Sequence, residues 1–174
     1  MRQIIFLHIF LIYACTVLFA NEELDLFNVA RNGNASQMRE FIASGKDLTI
    51  KDASGRNAMM QSVLFGNQET ALVLIENGIG LESRDELGLT PLTLSIRYGD
   101  SEMTRMLLEN GANVESKMDD GSTPLIFAAL EGQISAVRLL LKYKSNVSIR
   151  TSYGETALIV ASFEGFLGIV RLLL

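Results

Sequence analysis

The segment "GSTPLIFAALEGQ", Gly121 to Gln133, decides how the rest of the chain is read. Thr123 is a good helix N-cap, because its hydroxyl can accept a hydrogen bond from an otherwise orphaned backbone N–H. Pro124 suits the first helical position, where its missing N–H has no helical partner to lose. Leu125, Ala128 and Ala129 then share one helical face, and Gly132 supplies the left-handed residue that stops the helix. The segment therefore predicts a helix of about two turns with both ends marked.

The same pattern reads "GLTPLTLSIRYGD" at Gly88 to Asp100 and "GETALIVASFEGF" at Gly154 to Phe166, with a looser copy, "GRNAMMQSVLFGN", at Gly55 to Asn67. The opening glycines Gly55, Gly88, Gly121 and Gly154 stand 33 residues apart, as do the helix-stop glycines Gly33, Gly66, Gly99, Gly132 and Gly165. A third series, Gly45, Gly78 and Gly111, ends a second helix in each unit, and Lys144 takes its next place. Apolar runs such as "MTRMLLEN" and "ISAVRLLLKY" fill the intervals. A fixed period of this length means stacked supersecondary units rather than one closed globule.

A unit of two short helices, a loop and a turn, with Thr90-Pro91-Leu92 or Thr123-Pro124-Leu125 opening its first helix, resembles the ankyrin repeat family. Thr156-Ala157-Leu158 and Asn57-Ala58-Met59 are looser matches that keep a capping residue. The resemblance implies an all-α solenoid of helix-turn-helix units with β-hairpin loops. About five repeats are expected, at 21–51, 52–84, 85–117, 118–150 and 151–174, the last incomplete. The family often places a His after the T-P-L. Met60, Thr93, Ile126 and Ile159 stand there instead, so His-mediated polar contacts between repeats are expected to be missing. Small residues on the first helices (Ser62, Ser95, Ala128, Ala161) let neighbours approach, and Leu107, Leu108, Leu139, Leu140 and Leu172 fill the space between second helices. One helix pair buries too little apolar surface to offset its conformational entropy, so stability is shared among neighbours. The opening unit carries Glu22, Glu23 and Asp25 near a helix N-terminus, which suits a capping repeat and the positive end of the helix dipole.

Ahead of the repeats, "MRQIIFLHIFLIYACTVLFA" places Arg2 before an uncharged, mostly apolar run that ends at Ala20, and polarity returns with "NEELD". That order describes a secretory signal peptide over 1–20. Two alternatives stand beside it. The apolar run from Ile4 to Ala20 would be short for an uncleaved anchor, since a spanning helix needs ~20 residues. Cys15 after Ala14 and Tyr13 offers a lipoprotein site. Export to the periplasm or beyond the cell follows from the leader reading, with no membrane insertion once the leader is gone.

Export narrows the chemistry. The single Cys and the single His, Cys15 and His8, both fall inside the leader, so the mature chain has no Cys nucleophile, His base, disulfide or N/S metal ligand set. No cofactor and no metal are expected. The chain has 15 basic and 20 acidic residues; loss of Arg2 leaves 14 basic and a net charge of −6, a poor match for nucleic acid. The carboxylate pairs Glu22/Glu23 and Asp119/Asp120 read as solvated surface rather than catalytic dyads. "NGIGLES" lacks the third glycine of a dinucleotide fingerprint, having Ser83 there, and follows a helix. Arg39, Arg105, Arg138 and Arg171 form a ladder, broken by Leu72, that reads as a solvated outer helix face, with recognition of an acidic partner or lipid head groups as the alternative. Asn34 and Asn146 head glycosylation sequons that matter only in a eukaryotic secretory pathway.

The ends of the first helices stand apart. Leu64-Phe65, Arg97-Tyr98, Leu130-Glu131 and Phe163-Glu164 precede the stop glycines, and each pair carries a large apolar or aromatic group. The family resemblance places these positions on the concave partner-binding surface, with hairpin residues Arg56, Glu86, Leu87, Asp119, Asp120 and Tyr153 at its rim. Either these side chains contact a partner, or Phe65, Tyr98 and Phe163 stack on one another. The expected function is a non-enzymatic protein-binding module of the periplasm or envelope; a secreted effector that engages a host protein and a carboxylate-dependent hydrolase are the alternatives. The closing run "IVRLLL" has no polar capping helix after it, so the last unit is expected to self-associate, to dock on a partner, or to mark a truncated chain. The leader reading predicts a mature N-terminus at Asn21. N-terminal sequencing of the native protein checks this: an intact Met1 would mean an anchor, and a modified Cys15 a lipoprotein.

Overall fold

The computed structural model describes residues 26–174; the expected leader, with Cys15 and His8, and the acids Glu22, Glu23 and Asp25 lie outside the described residues. Ten helical segments follow one another. Helix α1 covers residues 26–32 of the described chain. Then come α2 (Ala35–Ala43), α3 (Ala58–Leu64), α4 (Gln68–Glu76), α5 (Pro91–Arg97), α6 (Ser101–Glu109), α7 (Pro124–Leu130), α8 (Ile134–Lys142), α9 (Ala157–Phe163) and α10 (Leu167–Leu173). First helices pack on first helices (α3 on α5, α5 on α7, α7 on α9), and second helices on second helices (α2 on α4, α6 on α8, α8 on α10). The result is two stacked helical layers joined unit by unit.

The caps are those the sequence requires. Thr90, Thr123, Thr156 and Asn57 each accept a hydrogen bond at the side chain from the backbone N–H three residues on. Thr93, in the place where the family often has His, completes a capping box: its hydroxyl accepts from the Thr90 N–H at 2.7 Å. Helices α3, α5 and α7 are buried through almost their whole length, and in α5 every residue from Pro91 to Ile96 is buried; α9 buries only Ala157, Val160 and Ala161. Some polar residues inside are satisfied locally, as where the Ser95 hydroxyl donates to Leu92 O at 2.8 Å and lies 2.9 Å from the Thr104 hydroxyl of α6, whereas the buried hydroxyls of Thr70, Ser116 and Ser145 have no partner among the described residues. The expected hairpin loops are tight turns with a single closing rung. Gly55 N–H donates to Asp52 O and Asp52 N–H to Arg56 O, both at 2.9 Å, and the same pair recurs from Asp85, Met118 and Thr151. No strand forms among the described residues, because one rung is too short to build a ladder.

Units are fastened at two columns of glycine. The residue after each stop glycine lies across the stop glycine of the preceding unit. A Cβ on Gly33 would stand 2.7 Å from Asn67 Oδ1, and one on Gly132 would stand 2.8 Å from Phe166 Cζ. Asp100 over Gly66 and Gln133 over Gly99 keep ordinary contact, at 3.7 and 3.4 Å. Asn67 uses the approach to donate from its carboxamide to Ala30 O at 2.8 Å and Arg31 O at 2.6 Å, which satisfies carbonyls at the end of α1. The hairpin tips form the second column: Glu86 N–H donates to Ser54 O at 3.0 Å, and Ser152 N–H to Asp120 O at 2.8 Å. Lys144 adopts φ 63°, so the third glycine position keeps its left-handed backbone even where the glycine is gone.

Gly55 and Gly154 hold the same position in their units with φ of 74° and 82°, but a Cβ on Gly55 would stand 2.9 Å from Glu86 N, while one on Gly154 meets nothing within 4 Å. Gly154→Ala should therefore cost only the left-handed strain, about 1–2 kcal/mol. Gly55→Ala should cost about 1–3 kcal/mol more, because the neighbouring hairpin must be pushed off. Urea unfolding of the two variants measures the difference; equal losses would mean that the tips do not hold one another.

Candidate functional site

Each first helix leaves the core at its last residue (Leu130, Phe163) or the one after it (Phe65, Tyr98), where the chain turns toward the stop glycine. Side chains at these points stand largely open. Phe65 keeps 56% of its surface exposed, Tyr98 58%, Leu130 48% and Phe163 88%. Leu64 is half-buried against the core, whereas Arg97 and Glu131 are exposed. The rings thus do not bury one another by stacking. The ring of Phe65 instead meets the Arg31 guanidinium, 5.8 Å from its centroid, an arrangement that favours the cation electrostatically. Charge changes sign along the strip: Arg31 and Arg97 flank the aromatic half, while Glu131 and Glu164 flank the half that carries Leu130 and Phe163.

The hairpin residues divide into free and structural groups. Glu86, Leu87, Asp119 and Tyr153 are exposed, with Leu87 at 62% and Tyr153 at 79%. Arg56 is part of the scaffold: its Nε lies 3.4 Å from Asp85 Oδ2, in a pair whose carboxylate side chain is only 1% exposed. Asp120 is half-buried, and its carboxylate accepts from the Ser122 N–H at 2.9 Å and the Ser122 hydroxyl at 2.8 Å. Arg56 thus spends its Nε on the turn of the next unit, and Asp120 its carboxylate on its own turn.

A polar relay that the sequence did not announce ties the first three units together. Arg31 Nε donates to Gln61 Oε1 at 3.0 Å, and Gln61 Nε2 donates to Asp52 Oδ2. Asp52 Oδ1 in turn accepts from the Ser54 N–H at 2.8 Å and the Arg56 N–H at 3.0 Å. Asp85 repeats that last role one unit later, accepting from the Leu87 and Leu89 N–H groups at 3.0 and 2.9 Å. The spacing of Asp52 and Asp85, one repeat apart, was the available signal for the turn carboxylates; nothing in the spacing of Arg31 and Gln61 reveals their contact.

The remaining sequence candidates lie elsewhere. Arg39, Arg105, Arg138 and Arg171 are exposed on second helices, and Arg105 pairs with Glu102 of its own helix at 3.3 Å. Among the described residues no group of three or more His, Cys, Asp or Glu is placed to hold a metal ion, and no helix is long and apolar enough to cross a membrane.

A family model described as ankyrin repeats, in three copies, matches residues 26–118 and again 111–174. No curated protein matches the chain. The matched span takes in every described unit, its capped first helices and its two glycine columns, and the chain belongs to the ankyrin repeat family.

Proposed function

We propose that the chain is a non-enzymatic module of the periplasm or cell envelope that holds a protein partner on the strip formed by the ends of its first helices. Ankyrin repeats indicate a protein–protein interaction module, and the family is generally non-enzymatic. The observation that carries the assignment to this strip is the exposure of Phe65, Tyr98, Leu130 and Phe163, one from each successive unit. Exposed aromatic groups beside charges are what binding surfaces enrich, and an apolar strip of this length is uncommon on a surface with no partner. Stacked helices hold the strip in place, so little ordering entropy opposes association. Leu64, Arg97 and Glu131 complete the centre, and Glu86, Leu87, Asp119 and Tyr153 form the rim.

Aromatic anchors of this kind cost ~2 kcal/mol or more when truncated, whereas rim charges act mainly on association rate. Tyr98→Ala with Phe163→Ala should weaken capture of the native partner at least ~10-fold. Arg105→Ala with Arg138→Ala, on the second helices, should leave it unchanged. Thermal unfolding is the control, and the high exposure of both rings predicts little loss of stability. Affinity that survives the aromatic pair and falls with the arginine pair would assign binding to the other layer.

A further inference from the structure

Successive units are also linked at the loops that follow the second helices. Glu82 Oε1 accepts the Asn113 N–H of the next unit at 2.8 Å, and Glu115 Oε1 accepts the Asn146 N–H at 2.6 Å. The equivalent pair at the first joint is Thr49 and Gly80, each 33 residues earlier. Thr49 is too short to play the part of glutamate, and its hydroxyl is already committed, donating to Asp47 Oδ1 at 2.6 Å. The Gly80 N–H has no acceptor among the described residues. A cleft of about 460 Å³ occupies this joint, lined by Thr49, Lys51, Asn57, Gly80 and Ser83 among others.

We propose that this cleft is a carboxylate-binding site, in which an external carboxylate takes the position that Glu82 and Glu115 fill at the later joints. Gly80, Lys51 and Ser83 supply the donors; Lys46 also lines the cleft but is engaged elsewhere, its Nζ lying 5.0 Å from the centroid of the Phe41 ring. Gly80 brings its unpartnered N–H. The Lys51 ammonium donates one hydrogen to Arg84 O at 2.9 Å and keeps two. The Ser83 hydroxyl accepts from Asn57 Nδ2 at 2.7 Å, which leaves its own hydrogen to give. Gly80 packs closely beside it, since a Cβ there would stand 2.7 Å from Asn57 Nδ2 and 2.9 Å from Met59 Cβ. Asp47, at the edge of the cleft, is the one carboxylate lining it. Hydrogen bonds from the Thr49 hydroxyl and N–H hold its carboxyl below the usual carboxylate range, so it remains an anion engaged in its own turn. A ligand carboxylate would gain charge-assisted bonds from the ammonium and stabilise the N–H that the fold leaves open. The ligand is a small organic acid or the free C-terminus of a peptide; the shared chemistry is the carboxylate.

The test follows the Gly80 amide resonance of the whole protein during titration with succinate, with acetyl-dialanine, and with acetyl-dialanine amide, at constant ionic strength. A saturable shift with succinate and the free-acid peptide identifies a general carboxylate site, and a shift with the free-acid peptide alone identifies a reader of C-termini. The amide should do nothing. Lys51→Gln should weaken binding about tenfold, the loss of one charge-assisted hydrogen bond. Thr49→Glu, which gives this joint the carboxylate of its successors, should abolish the response without lowering the unfolding temperature. No saturable shift with either acid, an equal response to the amide, or undiminished binding in folded Thr49→Glu or Lys51→Gln would each overturn the proposal.

Discussion

The array depends on contact between one unit and the stop glycine of the unit before it, tightest at Gly33 and Gly132 and ordinary at Gly66 and Gly99. Asn67 over Gly33 and Phe166 over Gly132 come nearer than any side chain at those glycines would permit. The same glycines turn the chain from first helix to second, so one residue serves the local bend and the contact between units. That double use explains why the interval of 33 residues is kept so strictly. A shift of even one residue would move the bend away from the contact and lose both.

From this fastening follows the division of surfaces. Helices α3, α5 and α7 lie between neighbours and are buried on nearly all sides, so they can be only seven residues long and still hold. The ends of the first helices emerge into the open at the bend. The strip of Phe65, Tyr98, Leu130 and Phe163 is therefore a by-product of the fold's geometry that the sequence has filled with large apolar groups. The first three units are cross-tied by Arg31, Gln61, Asp52, Arg56 and Asp85.

The repeat, its helices and its caps were legible from the chain because each rests on local chemistry: a threonine hydroxyl three residues from the N–H it caps, or a glycine where the backbone turns left-handed. The apolar strip was legible for the same reason, since helix ends are marked by glycine. The division of the rim was not. Arg56 and Asp120 look like Glu86 and Asp119 in the sequence, and only the fold shows the first two bonded to Asp85 and Ser122.

The sequence by itself determined the unit, its period, the order of helices and the family, all of which follow from contacts within a few residues and from their repetition. The tertiary structure alone decided which polar groups face each other across a joint. Arg31 meets Gln61 across 30 positions, Asn67 reaches Ala30 across 37, and Thr49 and Gly80 line one cleft where glutamate bonds asparagine at the later joints. Such pairs depend on the rise and rotation from one unit to the next, a quantity set by packing between helices and not by any single stretch of the chain.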